Sequence, residues 1–215
     1  MDAHTIAATT HGRYLTIPAA SGAAAPLLVG FHGYAEDAET QMLRLRDIPG
    51  SERWHILSIQ GLHRFYQRRT NQVVASWMTR QDRELAIADN MVYVDACIAA
   101  ECPSPSPVVF AGFSQGVATA FRAAVQCAHA AGVIAVGGDV PPEIDSARLK
   151  RLPDVLIARG ESDEWYKAEQ FVADQQRLRD SGVRVHAVTL NAGHEWSADL
   201  IAAAADFLRA LPRSR

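Results

Sequence analysis

No stretch of this sequence is apolar for long enough to cross a bilayer. There is no basic surplus either. Lys and Arg number 21 against 24 Asp and Glu, a formal net charge of −3, so neither nucleic acid nor an anionic membrane surface is an expected partner. Cysteine is scarce: Cys97, Cys102 and Cys127 are an odd number without metal-ligand spacing and read as reduced thiols, with Cys97 and Cys127 on helices. The opening Met1-Asp2-Ala3-His4-Thr5-Ile6 lacks the basic cluster and apolar core of a secretory signal, so the expected location is the cytoplasm. Linkers, repeats and low-complexity tracts are also missing. With 48% hydrophobic residues to fill a core, the expectation is one domain over 1–215, with 1–12 as a loose polar lead-in.

What the chain does have is regular alternation of apolar runs with helical stretches. Strands are expected at Arg13–Pro18 (an edge strand closed by the proline), Pro26–Phe31, Trp54–Ile59, Pro107–Phe113, Gly132–Gly137, Asp154–Gly160 and Val183–Leu190. Helices are expected over about Glu36–Arg46, Asp82–Ala100, the residues after Gly116, Glu164–Asp180 and Glu195–Ala210. Pro103, Pro105 and Pro107 close the second of these, and Gly182 the fourth. The pattern specifies an α/β protein with a mostly parallel sheet of about seven strands, covered by helices on both faces. One stretch, Gly61–Arg80, has no periodicity and is rich in arginine and aromatic residues, the mark of a functional loop or of one carrying a short element of its own.

The most informative segment is Gly112-Phe113-Ser114-Gln115-Gly116, between a strand and a helix with no room for a loop. Such a turn forces the serine into a strained conformation and holds its oxygen out at the carboxyl end of the sheet, as in a nucleophile elbow. A serine hydroxyl needs a base within hydrogen-bond reach. Of eight histidines, only His32 and His194 follow strand ends on that edge, and only His194 comes after Ser114 in a suitable loop. His32 reads as a packed residue bracing its loop. The acid belongs between serine and histidine in the chain, which points to Gly160-Glu161-Ser162-Asp163-Glu164. Asp163 is the candidate and Glu161 its rival; an Asp there also suits a helix cap. Negative charge building on a carbonyl oxygen needs preorganised donors, for which the backbone N–H groups of Gln115 and Tyr34 are the candidates. Phe113, Trp77, Trp165 and Trp196 adjoin these motifs and are candidates for lining the substrate pocket.

Together, Phe31-His32-Gly33, Gly112–Gly116, Gly160 with Asp163, and Gly193-His194-Glu195 resemble the phospholipase/carboxylesterase family of α/β-hydrolases, which includes the acyl-protein thioesterases. The resemblance runs from about residue 26 to the end. It implies a serine esterase acting on a small-molecule carboxylic ester or thioester, with no cofactor and no metal. A short-chain carboxylesterase is the leading expectation. The alternatives are a lysophospholipase or acyl-protein thioesterase with a long acyl groove, and a hydrolase-fold receptor without turnover. Tyr34-Ala35-Glu36 and the Gly61–Arg80 segment depart from the usual family pattern, both beside the substrate site.

Overall fold

Alternate residues of the central strands face opposite ways, and two separate cores result. The computed structural model describes residues 1–211 apart from 21, 23, 24 and 103–105. In β2 (Leu27–Phe31), Leu27, Val29 and Phe31 enter one core while Leu28 enters the other; in β6 (Val108–Phe113), Val108 and Phe110 part company with Val109 and Ala111 in the same way. This period of two, on strands buried throughout, is what a sheet covered on both faces requires. The first core is closed by α2 (Arg83–Glu101), α3 (Gln115–Gln126) and α5 (Ala168–Asp180), the second by α1 (Ala38–Arg46) and α6 (Ala198–Ala210).

The main sheet has seven strands. Besides β2 and β6 these are β1 (Arg13–Ile17), β3 (His55–Gln60), β7 (Ala130–Val136), β8 (Asp154–Gly160) and β9 (Arg184–Leu190), in the order β1-β3-β2-β6-β7-β8-β9. Only β1, at the edge, runs antiparallel. From β2 the chain moves outward to β3, then returns to lay β6 on the other side of β2 and continues to β9. The order therefore reverses between β2 and β6, and the crevice outside the carboxyl ends of strands at such a point is where open α/β sheets bind ligands.

Gly61–Arg80 carries a short element of its own, one of the two expectations for it: β4 (His63–Tyr66) and β5 (Val73–Ser76) pair antiparallel as a separate hairpin, whose strands the sequence does not locate. Most of β4 is exposed, so it carries no apolar alternation to betray it. Helix α5 begins at Ala168, four residues after the expected start, because Asp163 accepts the Trp165 and Tyr166 N–H groups and holds the intervening residues in a turn. A short α4 (Ser146–Leu149) precedes β8. Cys97 lies within α2, whereas Cys127 sits just past the end of α3. Residues 1–12 form no regular element, and Pro103 and Pro105 fall outside the described residues. No described helix is long and apolar enough to cross a membrane.

Candidate active site

Strand β6 passes into α3 through a single residue. Ser114 takes φ 51° and ψ −118°, a region that side chains other than glycine's rarely occupy, and its N–H is tied to Val136 O at 2.8 Å. The two flanking glycines answer to contact rather than to flexibility. A Cβ on Gly112 would lie 2.5 Å from Gly116 O, and one on Gly116 would lie 2.2 Å from Phe31 O. Helix and strand thus approach as closely as backbone permits, with the serine side chain held at their junction.

Three side chains from three strand ends meet there. His194, in the loop after β9, places Nε2 2.8 Å from Ser114 Oγ and Nδ1 2.9 Å from Oδ2 of Asp163, which follows β8. With Nδ1 facing a carboxylate, the neutral ring carries its proton there and leaves Nε2 to accept from the serine hydroxyl. Asp163 is 3% exposed and divides its oxygens: Oδ1 accepts the N–H groups of Trp165 and Tyr166 at 2.8 and 2.9 Å, Oδ2 faces His194. Burial raises its pKa, but the hydrogen bonds from Tyr166, His194 and Trp165 outweigh that, and the carboxyl sits below its ordinary range. Turn acceptor and histidine partner are therefore one residue, but Asp163 does not cap α5, whose N-cap is Lys167. Glu161, the rival acid, is exposed, and its backbone rather than its carboxylate engages its neighbours.

The loop after β2 faces this group across the reversal of strand order. His32 is fully buried, with Nε2 accepting the Gly61 N–H at 3.0 Å and Nδ1 2.6 Å from Gly33 O. It is a neutral brace, its pKa lowered by burial. Gly33 N–H donates to Glu36 Oε2 at 2.7 Å and Ala35 N–H to Ala75 O at 3.0 Å. Between them, the Tyr34 N–H has no acceptor among the described residues, and the same holds for the Gln115 N–H at the start of α3. The Gln115 side chain fastens the hairpin to the elbow: Oε1 accepts Trp77 N–H at 2.9 Å and Ser76 Oγ–H at 3.2 Å, and Nε2 donates to Met78 O at 2.9 Å.

A cavity of about 350 Å³ opens beside Ser114, lined among others by Met78, Gln115, Ala118, Trp165 and Tyr166. Of the four aromatic pocket candidates only Trp165 lines it, 80% exposed and 6.5 Å from the His194 ring. Trp77 is fully buried, its indole N–H donating to His32 O. Phe113 lies between the His194 ring, 5.0 Å away, and the Arg44 guanidinium, 4.3 Å away; Trp196 packs edge-on against it. The Tyr34 side chain, 61% exposed, turns outward onto Phe65. Arg44 and Arg122 are residues at the site that the sequence reading passes over, and Glu36 it names only as part of a departure from the family pattern. For Arg122 a signal existed: a single charge in the apolar run from Val117 to Val125, eight residues on from Ser114. Among the described residues no group of three or more His, Cys, Asp or Glu side chains is arranged to hold a metal ion.

Comparison with known proteins agrees with this architecture. No curated protein matches the chain. Among solved structures, the Bacillus cereus carboxylesterase superposes with a TM-score of 0.73 at 16% identity, covering 92% of this chain and 93% of that one. Esterase PE8 gives 0.72 at 23% identity (93% and 99% covered), and acyl-protein thioesterase 2 from Zea mays 0.72 at 17% (93% and 99%). At these identities the likeness is one of fold. Residues 13–211, from the first strand through the last helix, match the family described as Phospholipase/Carboxylesterase, and the chain belongs to that family.

Proposed function

We propose that this protein is a serine carboxylesterase that hydrolyses short-chain carboxylic esters through an acyl-enzyme, without cofactor or metal. The observation that carries the reading is the continuous hydrogen-bonded run from Ser114 Oγ through both nitrogens of His194 to a buried, ionised Asp163. In this mechanism Ser114 Oγ attacks the acyl carbon as its proton passes to His194 Nε2. Asp163 holds the ring in the required tautomer and stabilises the imidazolium. The oxygen of the tetrahedral intermediate takes the Tyr34 and Gln115 N–H groups, each donor being worth roughly 10²–10³ in rate in comparable sites. Collapse expels the alcohol, which leaves with the proton from His194. A water then repeats the sequence, with His194 as base, and releases the acid.

The limited cavity favours short acyl groups over a long-chain groove, and the exposed Trp165 at its mouth supplies an apolar face. The test is covalent labelling by a fluorophosphonate, read by intact-protein mass and peptide mapping. Label on Ser114, absent from Ser114→Ala and matched by turnover of p-nitrophenyl butyrate, supports the assignment. An unlabelled wild-type protein without ester turnover defeats it and leaves the ligand-receptor alternative.

A further inference from the structure

Ser114 immediately precedes helix α3, and with Ala118 and Arg122 of that helix, at four-residue spacing, it lines one cavity. Arg122 lies about 12 Å further along the axis than Ser114, and both residues line the cavity. It is buried, with 5% of its side chain exposed. Nε and Nη2 donate to Glu143 Oε1 at 2.8 and 2.5 Å, but Nη1 has no acceptor among the described residues. A buried, charged donor left unpaired is costly, and in a native protein it requires an explanation.

Resting on the esterase reading above, we infer that Arg122, which lines this cavity and keeps a guanidinium N–H unpaired among the described residues, is a specificity-determining residue that binds a carboxylate carried by the ester substrate. A carboxylate suits the donor better than a neutral carbonyl because a hydrogen bond between ionised partners is roughly twice as strong. Arg83 lines the same cavity and supplies a second guanidinium. Among the described residues the two arginines share one carboxylate within 4 Å, Glu143, whose Oε2 is 3.8 Å from Arg83 Nη2. Asp139 also lines the cavity; it is exposed, and its charge acts on Arg122 more weakly than that of Glu143, which is hydrogen-bonded to it directly. Burial, with the neighbouring Arg83 charge, pulls the Arg122 pKa below its ordinary value against the opposing pull of Glu143 and Asp139. The substrate class is thus a monoester of a dicarboxylic acid about the size of glutarate or adipate, or an ester whose alcohol portion ends in a carboxylate.

The test compares kcat/KM, followed by proton release, across matched pairs. On the acyl side the pairs are monoethyl adipate with ethyl hexanoate and monoethyl glutarate with ethyl pentanoate. On the alcohol side the pair is 4-acetoxybutyrate with butyl acetate. The wild-type protein should favour the carboxylated member of at least one arm by tenfold or more, and the preferred arm assigns the side on which the carboxylate sits. Arg122→Met should bring the charged-to-neutral ratio close to one, while Arg122→Lys retains part of it. Equal handling of charged and neutral esters by an active wild-type protein overturns the inference and leaves the esterase reading intact. So does a preference that survives in Arg122→Met. Should that variant not fold, the wild-type comparison decides by itself. Failure to hydrolyse any of these esters, together with failure of Ser114 to label, removes the esterase reading and this inference with it.

Discussion

Glu36 and Arg44 form a two-pronged ion pair, Oε2 to Nη1 at 2.6 Å and Oε1 to Nη2 at 2.7 Å, and Glu36 Oε2 also receives the Gly33 N–H. Arg44 in turn lies over Phe113, the residue before the nucleophile candidate. The loop bearing the Tyr34 N–H is therefore anchored to α1 and to the end of β6 at once. Glu36→Ala should lower kcat by roughly 10–10², about the worth of one misplaced oxyanion donor or less, with little change in KM. Glu36→Gln, which keeps an acceptor for Gly33, should fall between. A purely structural role would lower the melting temperature and leave kcat per folded molecule unaltered, so the two are measured together.

Replacing Ser114 separates chemistry from backbone. Both Ser114→Ala and Ser114→Gly should fold and lose ester turnover by several orders of magnitude, since nucleophile and base act as a unit. The glycine variant escapes the strain of a positive φ, which costs on the order of 1–3 kcal/mol, less the entropy glycine loses on folding. Ser114→Gly should therefore melt higher than Ser114→Ala, by roughly 2–4 °C for each kcal/mol gained. Equal melting temperatures would mean that the elbow is not strained.

Asp163→Asn should cost roughly 10⁴ in kcat by analogy with other Ser-His-Asp sites, and the exposed Glu161→Gln far less. The same substitution has a pH signature. The folded-state pKa of Asp163 is depressed, so its stabilising contribution is complete above the unfolded value of about 3.9 and is lost as pH falls through the folded value. Between neutral and acid pH the melting temperature of the wild-type protein should drop more steeply than that of Asp163→Asn. Parallel curves would show that the carboxyl is not held ionised by its partners.

Chain length tests the cavity. Each buried methylene is worth roughly 0.8 kcal/mol, or about fourfold in kcat/KM, until the space is filled. With about 350 Å³ available, p-nitrophenyl esters should improve from acetate to about the hexanoate and then level off or decline. A continued rise toward palmitate would point to a long groove and to the lysophospholipase or thioesterase alternative.

The sheet, its helices and the positions of Ser114, Asp163 and His194 were legible because each depends on a short-range pattern: apolar alternation, a glycine-flanked elbow, a loop after a strand. What was not legible depends on encounters across the fold. The start of α5 moved because one carboxylate serves a turn and a histidine together, which no local pattern records. The hairpin β4–β5 hid because its strands are short and β4 mostly exposed. Adjacency in sequence also misled: Trp77 stands beside the motifs yet is buried and Trp196 packs half-buried against the second core, whereas Trp165, no more conspicuous, faces the solvent.

The Gln115 side chain joins the residue after Ser114 to Ser76, Trp77 and Met78 on the way out of the hairpin. This wall of the candidate site is stapled to the Ser114 elbow by three hydrogen bonds, so loosening it would also disturb the helix that carries the Gln115 N–H, one of the proposed oxyanion donors. Such coupling leaves no advantage in a wall that swings aside when substrate aggregates or a lipid surface arrives. Rate against concentration should accordingly follow a single hyperbola for tributyrin carried through its solubility limit, with no jump at the onset of emulsion and no lag before steady turnover.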